Sequence, residues 1–204
     1  MSLYEKYILP HLIGCACCSN PIMKQREKVV PAAQGRVLEV GMGAGPNLRF
    51  YDPDKVTHLW GLEPSAGMRR KAERNVAASP VAVEFIDLPG EEIPLDDNSV
   101  DTVVLTYTLC TIPEAVTALQ GMRRVLKPGG KLLFCEHGLA PDEGVAKWQR
   151  RIEPVWKPIA GGCHLTRDIP DLIRQGGFQI ETMEEAYIPG TLKVSAYDYW
   201  GSAV

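Results

Sequence analysis

The sequence predicts an α/β fold in which a doubly wound, mostly parallel sheet carries helices on both faces. Three observations indicate this fold: strand-like and helical segments alternate between residues 36 and 136, three glycines follow the first strand, and two strand-like segments end the chain. Strands separated by helical connections favour right-handed crossovers and parallel pairing. The 204 residues suffice for one such domain.

The composition is that of an ordinary globular protein, with 45% hydrophobic and 23% charged residues and a formal net charge of -3. We therefore expect a small-molecule substrate and no nucleic-acid partner. No stretch reaches the ~18 apolar residues of a membrane span. The "LIGC" segment at residues 12–15 is similar to a lipoprotein cleavage box but lacks a basic leader. The six cysteines form no disulfide framework, which favours a cytoplasmic location.

The chain before the alternating segments predicts a helical cap, residues 1–35, in front of a domain formed by residues 36–204. Helix is predicted over 3–30, ending at Pro31. Five of its residues recur at mixed helical spacing: Ile22, Met23, Arg26, Val29 and Val30.

The alternating elements follow in order. Strands are predicted at 36–40, 56–62, 81–86, 100–107 and 131–136. Helices are predicted at 65–78 and 113–126, with a short helix opened by Pro46. The last two strand-like segments lie on either side of Pro189 and Gly190, close enough in sequence for an antiparallel hairpin.

The stretch "VLEVGMGAGPN" forms a turn after the first strand, at the edge where open α/β sheets bind ligands. Gly41, Gly43 and Gly45 let the backbone approach a ligand and adopt positive φ. The dinucleotide fingerprint needs a further glycine where Pro46 stands. This departure argues against a nicotinamide-dependent oxidoreductase.

Two carboxylates flank this turn. Glu63 ends the second strand, where a carboxylate can accept hydrogen bonds from both hydroxyls of a ribose. Glu39 precedes the turn, where it repels a phosphate and attracts an ammonium group. A nucleoside without pyrophosphate fits best. The alternative, an ordinary tight turn with a solvated strand end, stays open at this point.

Four segments, "VLEVGMGAG", "GLEPS", "SVDTVVLTYTLCTI" and "MRRVLKPGGKLLFCEH", together resemble class I S-adenosylmethionine-dependent methyltransferases over residues 36 to 203. The resemblance implies a Rossmann-like methyltransferase fold whose seventh strand is antiparallel, with S-adenosylmethionine as cofactor. It also implies cofactor-binding roles for Glu39, Gly41, Gly43, Gly45, Asn47, Glu63, Pro64, Met68, Gly90, Glu91, Thr106 and Leu109.

The adenine contacts are the least constrained of these roles. Many relatives carry Asp-Ala-Glu after the third strand, whereas this chain has Pro89, Gly90 and Glu91 there. Met68 is equally well explained as a core residue of its helix.

The segment "RIEPVWKPIAGGCHLTRD" is similar to a narrower, thiol S-methyltransferase-like branch of the family, although His164 departs from its pattern. The resemblance implies a small, fairly apolar acceptor and favours a thiol. A phospholipid amine and a quinone carbon are alternatives, and a non-catalytic cofactor-binding or scaffold protein is an alternative of another class.

An amphipathic helix is predicted just before and within that segment, with Val145, Trp148, Ile152, Val155 and Trp156 at helical spacing. It is interpreted as a lid over the acceptor, as a helix that contacts a membrane surface, or as a helix packed on the sheet. The candidate substrate-binding residues are Trp148, Trp156, Cys163 and His164.

His137, at the carboxyl end of the fifth strand, is the first candidate for a general base. A role in holding its loop is the alternative, and His164 and Asp168 are weaker candidates for the base. Thr166 or Asp168 suits the cap of the next helix. Cys15, Cys17 and Cys18 do not have a usual zinc spacing, so no metal site is expected.

Overall fold

The computed structural model describes Leu9 and residues 17–204. Its helices and strands, in chain order, are α1 (Asn20–Val29), β1 (Gly35–Val40), β2 (Val56–Leu62), α2 (Ala66–Ala77), β3 (Val83–Ile86), β4 (Val100–Thr106), α3 (Ala115–Val125), β5 (Leu126–His137), α4 (Glu143–Ile159), α5 (Ile169–Gln175), β6 (Ile180–Tyr187) and β7 (Tyr197–Ala203).

The seven strands form one sheet in the spatial order β3-β2-β1-β4-β5-β7-β6. Strands β1 to β5 pair in parallel, and β7 runs antiparallel between β5 and β6. The predicted fold is therefore confirmed. From β1 the chain winds outward to β3 and then returns to β4 on the other side of β1. This reversal opens a crevice at the carboxyl ends of β1 and β4, where such sheets bind ligands.

Alternate side chains of β1 enter different cores, as the two-residue period of a strand requires. Leu38 and Val40 lie in the core cluster that includes α3 and α5, whereas Val37 lies in the cluster that includes Val29 and Val30 at the end of α1. Glu39 alternates with Leu38 and Val40 in the same way. It therefore points to the face that α1 covers, which explains its partners below.

Three differences from the predicted elements stand out. The segment after Pro46 is a short 3-10 turn, Leu48–Phe50, rather than an α-helix. Strand β5 begins at Leu126 instead of residue 131, because Leu126 has an extended backbone and pairs with Val100 of β4. A 3-10 turn, Lys193–Ser195, precedes β7, so the last strand starts only at Tyr197.

The predicted N-terminal helix is seen in part, as α1. The remainder of the 3–30 prediction lies outside the described residues, apart from Leu9, residues 17–19 and Val30, and the division into a 1–35 cap and a 36–204 domain stays a prediction. Within the described residues, no helix combines the length and apolar character that crossing a bilayer requires.

The amphipathic helix predicted near residue 150 is α4, which is longer than expected and has Pro154 and Pro158 inside it. The next helix, α5, begins after Asp168, whose side chain accepts a hydrogen bond from the Asp171 amide at 3.0 Å. Asp168 is thus the predicted helix cap.

Candidate functional site

The glycine turn after β1 has the left-handed backbone that its sequence predicts. The φ angles of Gly41, Gly43 and Gly45 are 73°, 58° and 72°. A Cβ on Gly41 would lie 2.1 Å from the Thr108 side chain, whereas a Cβ on Gly43 would meet nothing closer than the Met68 methyl at 3.4 Å. The turn is therefore closed against β4 at Gly41 and open above Gly43.

Glu63, at the end of β2, holds this turn in place. Its Oε2 accepts a hydrogen bond from the Gly43 amide at 2.9 Å, and its Oε1 accepts one from the Ser65 amide at 2.8 Å. Burial raises the pKa of Glu63, and the two amide donors oppose that rise. Each carboxylate oxygen keeps a second lone pair, so the group can still accept hydrogen bonds from a ligand.

Two cavities meet at Glu63. The first, here called the turn cavity, has a volume of about 220 Å³ and lies between the turn and the end of β4. The second, the outer cavity, has a volume of about 180 Å³ and lies toward the loop after β3. Both cavities are lined by Gly41, Glu63, Thr108 and Thr111. A bent ligand could therefore span the two on either side of one carboxylate.

Most of the predicted cofactor-binding residues line one of these cavities. Besides the shared Gly41 and Glu63, the turn cavity is lined by Gly43, Met68 and Thr106. The outer cavity is lined by Pro64, Gly90 and Glu91. Neither cavity is lined by the other four: Glu39, Gly45, Asn47 and Leu109. Leu109 is fully buried in the core.

Glu39 and Asn47 lie beneath the turn in a buried polar network. Glu39 accepts hydrogen bonds from Asn47 Nδ2 at 2.9 Å and from the Tyr51 hydroxyl at 2.7 Å. Burial raises the pKa of Glu39 from an ordinary 4.5 to about 7, although its hydrogen bonds and the nearby Arg26 charge oppose the rise. The network supports the turn from below.

Arg26 of α1 completes this network. Its Nη1 donates to Thr106 Oγ1 at 2.6 Å and to Asn47 Oδ1 at 3.0 Å. The side chain is 4% exposed, its Nε has no hydrogen-bond partner among the described residues, and it lines the turn cavity. Sequence reasoning missed this role. The available signal was an arginine among the inward positions of the first predicted helix.

The segment after β4 forms the opposite wall of the turn cavity. Tyr107 has a φ of 52°, which is uncommon for a residue other than glycine. Its hydroxyl donates to the buried carboxylate of Asp198 on β7, and the Thr108 amide donates to Glu136 of β5 at 2.8 Å. Two neighbouring strands therefore fix this wall.

The loop between α4 and α5 is tied to the same segment. Arg167 donates to the carbonyl oxygens of Leu109 and, at 2.7 Å, Ile112. The His164 amide donates to the Cys110 carbonyl at 2.9 Å. Glu153 of α4 accepts from the Leu165 amide at 2.8 Å. These contacts bring the Gly-Cys-His-Leu-Thr-Arg run against the end of β4.

Cys163 in this loop lies against His137 at the end of β5. Cys163 Sγ is 3.3 Å from His137 Nε2. The pKa of Cys163 is lowered, first by its hydrogen bond with Cys110 and then by the His137 charge, against the effect of burial. Burial alone lowers the pKa of His137, but the adjacent Cys163 charge raises it to about 9. The contact therefore favours the thiolate form of Cys163 and the protonated form of His137.

The four predicted substrate-binding residues separate into two groups. Trp156, Cys163 and His164 lie together beside the end of β4, with His164 Nδ1 3.4 Å from Glu153 Oε1. Trp148 instead lies on the outer face of α4 and is 56% exposed. The inward positions of α4 are Ala146 and Gln149, whose small and hydrogen-bonded side chains hid them from an apolar pattern.

Comparisons of sequence and structure relate the chain to known methyltransferases. A family model described as a methyltransferase domain matches residues 38–134. The chain is 41% identical over 137 residues to thiol S-methyltransferase TMT1B of Rattus norvegicus, a match that covers 65% of this chain and 55% of the relative. It is 39% identical over 148 residues to TMT1B of Homo sapiens, covering 69% and 59% of the two chains.

A demethylmenaquinone methyltransferase of Clavibacter sepedonicus is 31% identical over 113 residues, covering 55% of this chain and 45% of the relative. The chain thus spans a little over half the length of the thiol S-methyltransferases it matches. Among solved structures, a SAM-dependent methyltransferase from Leishmania major superposes with a TM-score of 0.70 at 17% identity, covering 98% of this chain and 80% of that one. At that identity the likeness shows the fold alone.

The sheet order, the turn, the family match and the curated relatives all point to one group of proteins. The chain has the fold of S-adenosylmethionine-dependent methyltransferases, and part of it is similar in sequence to a methyltransferase domain and to thiol S-methyltransferases.

Proposed function

We propose that this chain transfers a methyl group from S-adenosylmethionine to a small, fairly apolar acceptor, and that the acceptor is a thiol. The observation that carries the proposal is the hydrogen bond between Glu63 and Gly43, which fixes a carboxylate between two cavities. Such a carboxylate suits the ribose of a nucleoside ligand.

The residues around Glu63 fit this donor. The space above Gly43 is free of side chains except for Met68, so a ligand can approach the backbone there. Pro64, Gly90 and Glu91 give the outer cavity a wall suited to a flat base.

S-adenosylmethionine, when bound, supplies a methyl group on a positively charged sulfur that a nucleophile displaces in line. The residues of the chain position the two reactants and exclude water from the site. Tyr107 and Thr108 form a rigid wall because Asp198 and Glu136 hold them. Cys17 and Leu9 also line the turn cavity.

A thiol acceptor is supported by the two thiol S-methyltransferases among the relatives. A thiol becomes a strong nucleophile on losing its proton, and its ordinary pKa of about 8.5 makes that loss easy. His137 stays our candidate for the proton acceptor. The adjacent Cys163 charge raises the pKa of His137, and the role of His137 is open to a direct kinetic test.

A quinone carbon is the second candidate acceptor, because a demethylmenaquinone methyltransferase is also similar to this chain. A phospholipid amine has no comparable support.

The test is a methyl-transfer screen with labelled S-adenosylmethionine and three acceptor sets: alkyl and aryl thiols, quinols, and amines. We expect labelled thioether from the thiols and little product from the other sets. Product from quinols alone would replace the thiol by the quinone proposal. Single-turnover rates of His137→Ala across pH then test the base, since an unchanged profile removes His137 from the mechanism.

We also propose that the outer face of α4 contacts an anionic lipid surface. Trp148, Val155 and Ile159 are 56%, 65% and 55% exposed and lie seven and four residues apart on one helical face. Lys147, Arg150 and Arg151 are exposed on the same helix. This combination of apolar and basic residues is typical of helices that lie in a membrane interface.

A further inference from the structure

Three side chains that could bind a metal meet beside the turn cavity, and they come from distant parts of the sequence. Cys110 follows β4, His137 ends β5, and Cys163 lies in the loop between α4 and α5. Their ligand atoms, Sγ, Nε2 and Sγ, all lie within 4.8 Å of one another. Both cysteines are free thiols and are buried.

The geometry of this cluster suits a tetrahedral ion. With Zn–S bonds of about 2.3 Å and Zn–N bonds of about 2.0 Å, neighbouring ligand atoms lie about 3.4–3.8 Å apart. The distance between Cys163 Sγ and His137 Nε2 is 3.3 Å, and the remaining pairs fall within the limit of 4.8 Å. Side-chain shifts of at most about 1 Å therefore bring the three ligand atoms to tetrahedral positions around one ion.

The fold holds the three ligands in place without help from a metal. Arg167 fixes the carbonyl of Leu109, next to Cys110, and the His164 amide binds the Cys110 carbonyl. His137 is held by the pairing of β5 with β7. A site whose ligands are positioned by separate backbone contacts is preorganised for binding, so little conformational entropy is lost when an ion enters.

Two buried polar atoms beside the cluster lack partners among the described residues: His137 Nδ1 and Asp198 Oδ1. The two residues lie directly opposite each other in the pairing of β5 with β7. A histidine that binds zinc through Nε2 usually donates its Nδ1–H to a carboxylate or carbonyl. Asp198 is thus suited to accept that hydrogen bond once the imidazole is bound to an ion.

We propose that Cys110, His137 and Cys163 bind one zinc ion, with Asp198 orienting His137. Two thiolates and one imidazole are ligands that zinc prefers over magnesium or calcium. Three protein ligands leave one coordination position for water or for a sulfur ligand. The inference concerns residues other than Cys15, Cys17 and Cys18, and it does not depend on the methyl-transfer proposal.

Where a thiol is the acceptor, which rests on the proposed function, its sulfur can occupy the open position. A thiol that binds zinc releases its proton to solvent and stays a thiolate, so His137 as a zinc ligand replaces its proposed role as the base. Thr111 and Gly161, which line the turn cavity, lie one residue after Cys110 and two residues before Cys163. The metal site and the donor site are therefore neighbours along two segments of the chain.

The test is a titration of the full chain, freed of metal by a chelator, with Co²⁺ as a spectroscopic substitute for Zn²⁺. We expect one equivalent to bind, with the strong visible bands of a tetrahedral ion and a thiolate-to-cobalt charge-transfer band of two thiolates. Competing Zn²⁺ should remove these bands. Absence of stoichiometric binding, or an octahedral spectrum without charge transfer, overturns the proposal.

Variants identify the ligands. We expect Cys110→Ser, Cys163→Ser and His137→Ala each to weaken Zn²⁺ binding more than about a hundredfold, and Asp198→Asn to weaken it roughly tenfold. A matched triple variant, with Cys15, Cys17 and Cys18 all replaced by Ser, should keep one equivalent of Co²⁺ with an unchanged spectrum. Loss of the metal in that triple variant alone would assign it to the N-terminal cysteines and contradict the proposal.

Two controls separate this inference from the proposed function. Circular dichroism and calorimetry with S-adenosylhomocysteine establish that each variant folds and keeps its nucleoside site. Bound Co²⁺ without thiol methylation leaves the metal site intact and removes the thiol acceptor. Thiol methylation by a chain that binds no Co²⁺ supports the thiol acceptor and overturns the metal site.

Discussion

Glu63 Oε2 accepts a hydrogen bond from the Gly43 amide at 2.9 Å, and this contact joins the two strand ends that form the proposed donor site. Gly43 belongs to the turn after β1, and Glu63 ends β2, which pairs in parallel with β1. The contact therefore couples the shape of the glycine turn to the position of the carboxylate. Several consequences can be measured.

Gly43→Ala tests the open side of the turn. Its φ of 58° costs an alanine roughly 1–2 kcal/mol of folding free energy, and the added methyl enters the turn cavity. We expect this loss in urea unfolding, together with at least about tenfold weaker binding of S-adenosylhomocysteine, a drop of 1.4 kcal/mol or more.

Gly129→Ala is the matched control for that variant. Gly129 has a φ of 81°, and a Cβ there would meet nothing within 4 Å. The Gly129→Ala variant should show a similar loss of folding free energy and an unchanged affinity for S-adenosylhomocysteine. Equal affinities of the two variants would show that the turn does not approach the ligand.

Arg26→Ala tests the network under the turn. The substitution removes two hydrogen bonds and leaves Asn47 Oδ1 without its donor in the interior, while Thr106 Oγ1 keeps the hydrogen bond from Asn47 Nδ2. We expect a loss of about 2–4 kcal/mol of folding free energy and weaker nucleoside binding. Lys24→Ala, at an exposed position of the same helix, should change neither quantity. A stable Arg26→Ala protein would mean that α1 does not support the turn.

Glu39→Gln tests the pH dependence of stability. The folded state raises the pKa of Glu39 to about 7, so it binds a proton that the unfolded chain releases above its ordinary value of 4.5. That contribution is present at low pH and is lost as the pH rises through about 7. Between pH 5 and pH 8 it amounts to about 2–3 kcal/mol.

Urea unfolding at those two pH values should therefore show a smaller decrease for Glu39→Gln than for the unsubstituted chain. Glu184→Gln, an exposed carboxylate on β6, should leave the decrease unchanged. Identical decreases in all three proteins would contradict a neutral Glu39 in the fold.

The outer face of α4 predicts binding to anionic vesicles. We expect sedimentation with vesicles that contain phosphatidylserine, weaker sedimentation at high salt, and a decrease of at least about tenfold in Trp148→Ala/Val155→Ala, because each side chain contributes roughly 1–3 kcal/mol when buried. Met183→Ala, another exposed apolar residue on β6, is the control. Equal binding by the double variant and the control would exclude this face.

Local patterns in the sequence predicted most of the fold. The strands and helices up to residue 125 carry clear periodicity, and the turn glycines have the positive φ that their spacing indicates. The start of β5 was missed because "KPGG" resembles a break, although the backbone of Leu126 is already extended and pairs with β4.

The candidate site was predictable where function depends on neighbours along the chain, as for Gly43 and Glu63. It was not predictable where distant segments meet. Arg26 reaches Thr106 across 80 positions, and Cys110 meets Cys163 only because the loop after α4 folds back onto the end of β4. Trp148 is a case in which a local pattern misled. Its spacing matches that of the other apolar residues of α4, but the fold leaves its side chain exposed.

Calorimetric titration with S-adenosylhomocysteine tests the central claim most directly. We expect the chain to bind one equivalent, to show no binding of NAD, and to lose at least about tenfold in affinity in Glu63→Gln, because hydrogen bonds to a charged group are worth about 1.5–3 kcal/mol. Glu92→Gln, an exposed glutamate in the loop after β3, should bind as the unsubstituted chain does. No binding of S-adenosylhomocysteine, or equal affinity for it in Glu63→Gln, would contradict the account.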